Sequence, residues 1–388
     1  MQYGESMSYF KLPPGVRDIL PEECRAFDGT QRILREKFLG AGFQPVRPAG
    51  LEYYDTYAGI RSSIRQKRMF KMTDQDGSLI VLRPDMTLAC ARIAATKIRE
   101  PRIKLCYFSD VYNFTAYGNS DREVAQAGVE VFGESGAFSD ACILAFAAEC
   151  LQAAGVEKFV IDVGHVGFFK GLLEGSGLTA AQAETLRGYI NAKDSLNIEL
   201  SLQSFGIDKK AREALCALPS LFGGAEVLDR AESLTDNEKA RGALVYLKEM
   251  YGYLRELGAD RFVTFDLGTI RQLSYYSGIV FSGLAEGAGA PVLSGGRYDG
   301  LCGQFGRDLS AVGFAVGMSR ILSVVSRKGE EKKMVAVVCR EGGRTEGREF
   351  ARGLRERGIA CDLFADGRVP EEGYAKVYVF PRGAEGDG

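Results

Sequence analysis

The sequence predicts an α+β protein: an antiparallel sheet flanked by helices, with a helical insertion and a small C-terminal α/β unit. Three observations carry this. Strand-like runs in the first half are separated by short turns such as Asp76-Gly77. A stretch from about 170 to 258 changes character and carries helix-start signals. The last sixty residues alternate strand, helix and strand. The division this implies is a large unit over 1–325, an insertion over 170–258 within it, and a truncated unit over 330–388.

Residues 21–40 form the first expected helix. Pro21 suits its first turn, Glu22 and Glu23 suit the positive end of its dipole, and Ile33, Leu34, Phe38 and Leu39 offer an apolar face. Gly42 ends it. The segment GFQPVRPAGLE is extended, because its prolines oppose helix. A hairpin follows around Asp76-Gly77, then a helix over 87–98. Strands are expected at 104–108 and 127–132, a helix at 138–154 and a buried strand at 159–163. Thr179 with Gln182, and Thr235 with Glu238, each read as a capping box. Beyond the second, Leu244, Leu247, Tyr251 and Leu254 make one helical stripe. Strands return in RFVTFDLG, in GIVFSGL and near Pro291, and 310–327 holds a closing strand and helix. The C-terminal unit reads as a strand at 334–339, a helix at 346–357 and strands at 359–364 and 377–380. The charge-rich segment 340–357 reads as a solvated helix face.

Composition narrows the functional classes. The chain has 388 residues, 46% hydrophobic and 26% charged, and a formal net charge of −2, which is ordinary for a globular protein and gives no long-range pull on a nucleic-acid backbone. Nine scattered cysteines without a CxxC pair, behind an N-terminus lacking an apolar signal core, point to reduced thiols and a cytoplasmic location. No run long and apolar enough for a membrane span is evident. With His165 as its one histidine, a histidine-based metal site or a Ser-His-Asp triad is close to excluded. No metal or cofactor is expected, and His165 reads as structural.

The motifs are more specific. The segment 110–126, DVYNFTAYGNSDREVAQ, followed by AGVEVFG, resembles motif 2 of the class II aminoacyl-tRNA synthetases in its histidyl-tRNA synthetase form. PPGVRDILPEE resembles the N-terminal segment of that family, and GFQPVRPAGLE its dimer-forming motif 1. LRPDMT resembles the strand that places an acid and a threonine at the amino group of histidine. IRQLSYYSGIVF and SGGRYDGLCGQFG resemble two histidine-specific signatures, and AVGFAVGMSR resembles motif 3. The likeness covers roughly 15–325. Its weight lies in the order and spacing of the motifs, since no one of them is decisive.

Four departures bear on activity. Asn113 stands where motif 2 carries an arginine that grips the amino acid carboxylate and the ATP α-phosphate. Thr115 replaces its glutamate, Ser319 replaces the motif 3 glutamate before Arg320, and Ser274 replaces an aspartate. Each lost charge-assisted bond removes about 1.5–3 kcal/mol, and adenylation needs positive charge on the developing pentacoordinate phosphate. Little adenylation is expected, even with Arg320 present to hold a nucleotide weakly. The run DVGHVGFFKGLLEGSGL resembles the regulatory subunits of short-form ATP phosphoribosyltransferase, relatives of the synthetase that make no aminoacyl-tRNA. The short stretch after motif 3 is too small for a full anticodon-binding unit.

This resemblance implies a histidine pocket without catalytic residues. Asp85 and Thr87 would take the ammonium, Gln126 the backbone polar groups and Arg271 the carboxylate. Glu130 and Tyr276 would address the imidazole, with Tyr275 and Tyr298 lining the pocket. It also implies a homodimer core within a hetero-oligomer containing the short catalytic subunit, histidine as effector, and no tRNA. Blander readings stand beside these. Asp85-Met86-Thr87 alone is a helix N-cap, a tyrosine pair suits a strand core, Arg271 suits a surface ion pair, and Gly295-Gly296 a tight turn. Glu130 resists a bland reading, because a carboxylate between apolar strand residues needs a partner. The rival functional readings are a divergent histidyl-tRNA synthetase making histidyl-adenylate and a stand-alone histidine-binding adaptor.

Overall fold

The structure, a computed structural model, describes residues 11–59, 66–113, 121–174, 176–269, 275–325, 334–365, 369 and 373–381. Thr115, Arg271 and Ser274 lie outside the described residues. The described chain forms two compact units: 11–20 with 26–325, and 21–25 with 334–381.

Helix α1 (Pro21–Gly40) starts at its proline with Glu22 and Glu23 in the first turn, and buries Thr30, Leu34 and Phe38. Leu39, expected on that face, is 45% exposed. Positions 30, 34 and 38 follow the four-residue step of one helix face, and residue 39 is turned about 100° away from it. Gly42 stops the helix with φ +83°, a value that favours glycine. The chain continues through β1 (Gln44–Pro45), β2 (Leu51–Tyr53), α2 (Tyr54–Ala58), β3 (Lys71–Thr73) and β4 (Leu79–Leu82). Strands β2, β4 and β3 form a small antiparallel sheet. Gly77, at φ +84°, turns the β3–β4 hairpin as the Asp-Gly pair predicted.

After α3 (Met86–Thr96), strands β5 (Ile103–Tyr112) and β6 (Glu123–Phe132) pair antiparallel over ten residues, longer than the sequence predicted. Next come α4 (Ala137–Ala154) and β7 (Phe159–His165). Helices α5 (Val166–Leu173), α6 (Ala180–Asn191), α7 (Ser195–Phe205) and α8 (Lys209–Ala217) lead to β8 (Phe222–Gly223), α9 (Glu226–Glu232) and α10 (Glu238–Glu256). Strands β9 (Val263–Asp266), β10 (Ile279–Ala285), β11 (Leu293–Arg297) and β12 (Ala311–Gly317), with α11 (Met318–Leu322), complete the large unit.

The main sheet has the order β1-β5-β6-β12-β11-β10-β7-β9-β8. Its centre is antiparallel, but β1–β5 and β7–β9 are parallel pairs. The expected antiparallel sheet is present, with these two parallel pairs added to it. Parallel neighbours need a long crossover, and the helices between β7 and β9 supply one.

Alternation along the strands separates the two faces. Val129 and Val131 of β6 and Phe281 of β10 enter a core with α4 and α10. Phe132 of β6, Tyr107 of β5 and Val280 of β10 join a second core with α3. Helix α4 is long and apolar enough, by length and composition, to cross a membrane, and most of it is buried inside the unit against β12 and α10.

The capping box at Thr179 forms as predicted. The one expected at Thr235 does not. Asn237 caps α10 by accepting from the Ala240 N–H at 3.0 Å, while the buried Thr235 hydroxyl accepts from Asn237 N–H. Asparagine caps at least as well as threonine, so the helix starts two residues later. His165 is structural: it caps α5, its Nδ1 accepting from Gly167 N–H at 3.0 Å. In the smaller unit, β13 (Met334–Cys339) lies between β14 (Cys361–Phe364) and β15 (Tyr374–Phe380), all parallel, under α12 (Arg344–Glu356).

Candidate functional site

The site forms where the α3 N-terminus meets the sheet face shared by β6, β12 and β11. Glu130 faces it from the middle of β6 and is 1% exposed. The Thr87 hydroxyl donates to Glu130 Oε1 at 2.9 Å, and the Tyr298 hydroxyl donates to Oε2. Burial pushes the Glu130 carboxyl up to about 8, against the opposing pull of these two bonds. Burial likewise raises the Tyr298 phenol well above its ordinary range, with the Glu130 charge adding to it.

Glycines make room for this carboxylate. Across the sheet, Glu130 is in register with Gly313, and Gly313 with Gly296. A Cβ at 313 would stand 1.9 Å from Glu130 Oε2, and one at 296 would stand 2.6 Å from the Tyr276 ring. On the neighbouring row Gly128 plays the same part under the buried Tyr107 ring. Thus Gly296 serves close approach within a strand, where the sequence reading had a tight turn.

Asp85 is the N-cap of α3. Its Oδ1 accepts from Leu88 N–H at 2.7 Å, and its Oδ2 lies 3.5 Å from the Tyr275 hydroxyl. The bland reading and the functional one therefore coexist: one oxygen holds the helix and the other faces the site. Burial raises the Asp85 carboxyl pKa. Tyr275 sits edge-on to both Tyr276 and Tyr298, with ring centroids 5.0 Å and 5.9 Å away. Gln126 has the same strand parity as Glu130 and so lies on the same sheet face, one turn of the alternation from Gly128 and in register with Gly317.

The turn before Asp85 is tightly fastened. The Arg83 guanidinium is buried and donates to the carbonyls of Pro48, Ala49 and Asp110 at 2.8–3.2 Å. The Arg83 carbonyl accepts from Tyr112 N–H at 3.0 Å. Asn113, half-buried at the end of β5, donates from Nδ2 to the Pro84 carbonyl at 3.3 Å. The Tyr57 hydroxyl donates to the Asp85 carbonyl at 3.4 Å.

On the other face of the sheet, Arg297 is 4% exposed and ion-paired with the fully buried Asp140 of α4 at 2.5 Å. It also donates to the Glu134 carbonyl and to Asp299, and the Tyr246 hydroxyl of α10 donates to Asp140 at 2.7 Å. A buried pair so fully bonded is tolerable where a lone charge is not. The Arg297 carbonyl accepts from Ser277 N–H at 2.9 Å, which fastens the chain just after the Tyr275-Tyr276 pair.

The structure therefore brings together Asp85, Thr87, Glu130, Tyr275, Tyr276 and Tyr298, with Gln126 on the same sheet face. The Thr87 proton goes to Glu130, leaving its oxygen lone pairs for a ligand donor. Tyr298 bonds Glu130 directly as well as lining the site. Ser319 lies partly exposed at the start of α11, and Arg320 is exposed, its guanidinium on the Pro291 carbonyl at 3.0 Å. Sequence reasoning missed Tyr57, Arg83 and the Arg297–Asp140 pair. Arg297 had a signal, being flanked by Gly296 and the expected Tyr298 in SGGRYDG; Tyr57 had none.

The residues gathered here are two acids, a threonine hydroxyl and three tyrosines. Comparisons with known proteins identify the family. The histidyl-tRNA synthetase family matches residues 15–321. An ATP phosphoribosyltransferase regulatory subunit from Acetivibrio thermocellus is 36% identical over 92% of this chain and 87% of its own length. One from Syntrophotalea carbinolica is 36% identical over 90% of this chain and 84% of its own. The crystal structure of an ATP phosphoribosyltransferase regulatory subunit/histidyl-tRNA synthetase from Bacillus halodurans superimposes with a TM-score of 0.88 at 31% identity, covering 98% of this chain and 99% of that one. A histidyl-tRNA synthetase from Nostoc sp., 21% identical over 93% of this chain and 87% of its own, shares the fold with a TM-score of 0.75. With likeness of this strength running nearly end to end, the chain belongs to the ATP phosphoribosyltransferase regulatory subunits, a family built on the class II histidyl-tRNA synthetase fold.

Proposed function

We propose that this chain is a non-catalytic regulatory subunit that works with a separate short-form ATP phosphoribosyltransferase at the first step of histidine biosynthesis, and that it binds histidine to mediate feedback. The observation that carries the reading is Glu130, a buried carboxylate held by Thr87 and Tyr298 beside Asp85, whose Oδ2 takes only a long bond from the Tyr275 hydroxyl. Buried acids of this kind need a cationic or proton-donating partner, and histidine supplies an ammonium for Asp85 and an imidazole for Glu130. Tyr276 is the second imidazole contact in this reading, Gln126 meets the polar backbone groups of the ligand, and Arg271 pairs with its carboxylate. The nucleotide side offers less: Asn113 is neutral and engaged with Pro84. In this reading 1–325 forms the sensor domain with its insertion at 170–258, and 330–388 no longer serves tRNA. The assembly is a homodimer core joined by catalytic subunits in the cytoplasm. Coupling of about 1–3 kcal/mol between histidine and the catalytic subunit's ligands is expected, and it is reciprocal.

The test mixes this chain with a short catalytic subunit. Histidine should inhibit the mixture, and Glu130→Ala should abolish that inhibition while the complex still forms. Unchanged inhibition would remove Glu130 from the pocket. Histidine-dependent pyrophosphate exchange with ATP by this chain alone would favour the divergent synthetase instead.

A further inference from the structure

We infer that Asn113, the residue at the motif 2 arginine position, is a positioning residue for the amine-recognising carboxylate of Asp85. The inference rests on the proposed histidine site and deepens it. Three consecutive carbonyls lead into that carboxylate, and each has its own donor: Arg83 from Tyr112 N–H, Pro84 from Asn113 Nδ2 and Asp85 from the Tyr57 hydroxyl. The first donor is backbone. The third comes from a tyrosine 1% exposed, fixed by its own packing. The middle one is the side-chain bond that holds the Pro84 carbonyl itself to the end of β5, beside the bonds the Arg83 guanidinium makes to the Asp110 carbonyl. Pro84 has no N–H and a restricted φ, so the orientation of its carbonyl fixes the peptide plane from which Asp85 starts.

The consequence is stereochemical. Asp85 Oδ1 is committed to Leu88 N–H at 2.7 Å, whereas Oδ2 takes only a long bond from the Tyr275 hydroxyl at 3.5 Å and is the oxygen that can meet an ammonium. A rotation of the 84–85 peptide plane would swing Oδ2 away from the site or pull Oδ1 off the helix end. An aspartate, one methylene shorter than glutamate, has little reach with which to compensate. Asn113 therefore does more than vacate a phosphate contact. An arginine at 113 reaching outward to a phosphate would leave the Pro84 carbonyl without this donor. The same substitution thus weakens the nucleotide side and stiffens the amine side.

The test compares two probes on the full-length chain by calorimetry: L-histidine, and 3-(imidazol-4-yl)propionate, which keeps the ring and the carboxylate but lacks the amine. The unaltered chain should bind histidine more tightly. In Asn113→Ala the histidine affinity should fall about three- to tenfold, the loss of one neutral hydrogen bond, while affinity for the amine-free probe stays the same, so the ratio between them shrinks. Asn113→Leu matches the amide in volume and donates nothing, and it carries the same expectation if the alanine variant folds poorly. An equal loss for both probes, or no loss for either, would overturn the positioning role. Failure of the unaltered chain to bind histidine would instead overturn the site reading beneath it.

Discussion

Glu130 was the most legible residue of the site, because a charge between valines on a strand calls for an explanation that periodicity does not give. Its surroundings were not legible. Arg83 reaches carbonyls up to 35 residues away and Arg297 an acid 157 residues away, and nothing local encodes such pairings. Gly313 and Gly296 reveal their purpose only when the strands are in register and a Cβ is seen to collide with Glu130 or Tyr276. The buried carboxyl also has a thermodynamic signature. Its pKa is raised to about 8 from an ordinary 4.5, so the folded state holds the proton more tightly than the unfolded one. The associated stability is complete below about pH 4.5 and is lost as pH rises through about 8. The buried His165 imidazole, pushed down to about 4 by burial, acts the other way: its contribution is present above about 6.5 and is lost as pH falls through about 4. Comparing the ligand-free protein with Glu130→Gln isolates the first effect. Thermal melts should show the stability of the glutamine variant relative to the parent rising between about pH 4.5 and 8 and staying constant above that; a relative stability that falls as pH rises would contradict the assignment.

At the scale of elements, helices with strong end signals were read well. α1 matches its predicted span from Pro21 to the glycine stop, and the Thr179 box forms as written. The α10 start was displaced because Asn237 competes with Thr235 for the cap, a contest between two good capping residues that sequence alone leaves open. The lengths of β5 and β6 were underestimated, since their outer halves carry polar residues that strand patterns discount. The parallel pairs β1–β5 and β7–β9 were missed because pairing direction depends on long crossovers. Helix α3 allows its structural and binding duties to be separated at one residue. Asp85→Asn keeps an oxygen for the Leu88 N–H but loses the charge; it should unfold in urea within a few tenths of a kcal/mol of the parent while histidine affinity falls at least tenfold. Asp85→Ala should lose the same affinity and, in addition, about 0.5–2 kcal/mol of stability. Equal stability of the two variants would mean that the cap does not matter, and undiminished affinity in Asp85→Asn would mean that the free oxygen has no ligand role.

For the whole molecule, the fold class and the family were within reach of the sequence because the motifs are many, ordered and spaced along most of the chain. Function is harder to read, since a synthetase and a regulatory subunit share the scaffold and differ at a few polar positions. The balance of those positions decides. In the proposed reading the amino-acid side keeps Asp85, Thr87, Gln126, Glu130 and the tyrosines, while the nucleotide side holds Asn113 on a backbone carbonyl and has Ser319 where the resemblance places a glutamate. In the proposed function this arrangement is that of a receptor retained after the reaction beside it was given up. Titration calorimetry of L-histidine into the full-length chain, without ATP, tests this most directly. The account predicts saturable binding of one histidine per chain, abolished in Glu130→Ala. Absence of binding by the unaltered chain, or binding that survives Glu130→Ala, would contradict it.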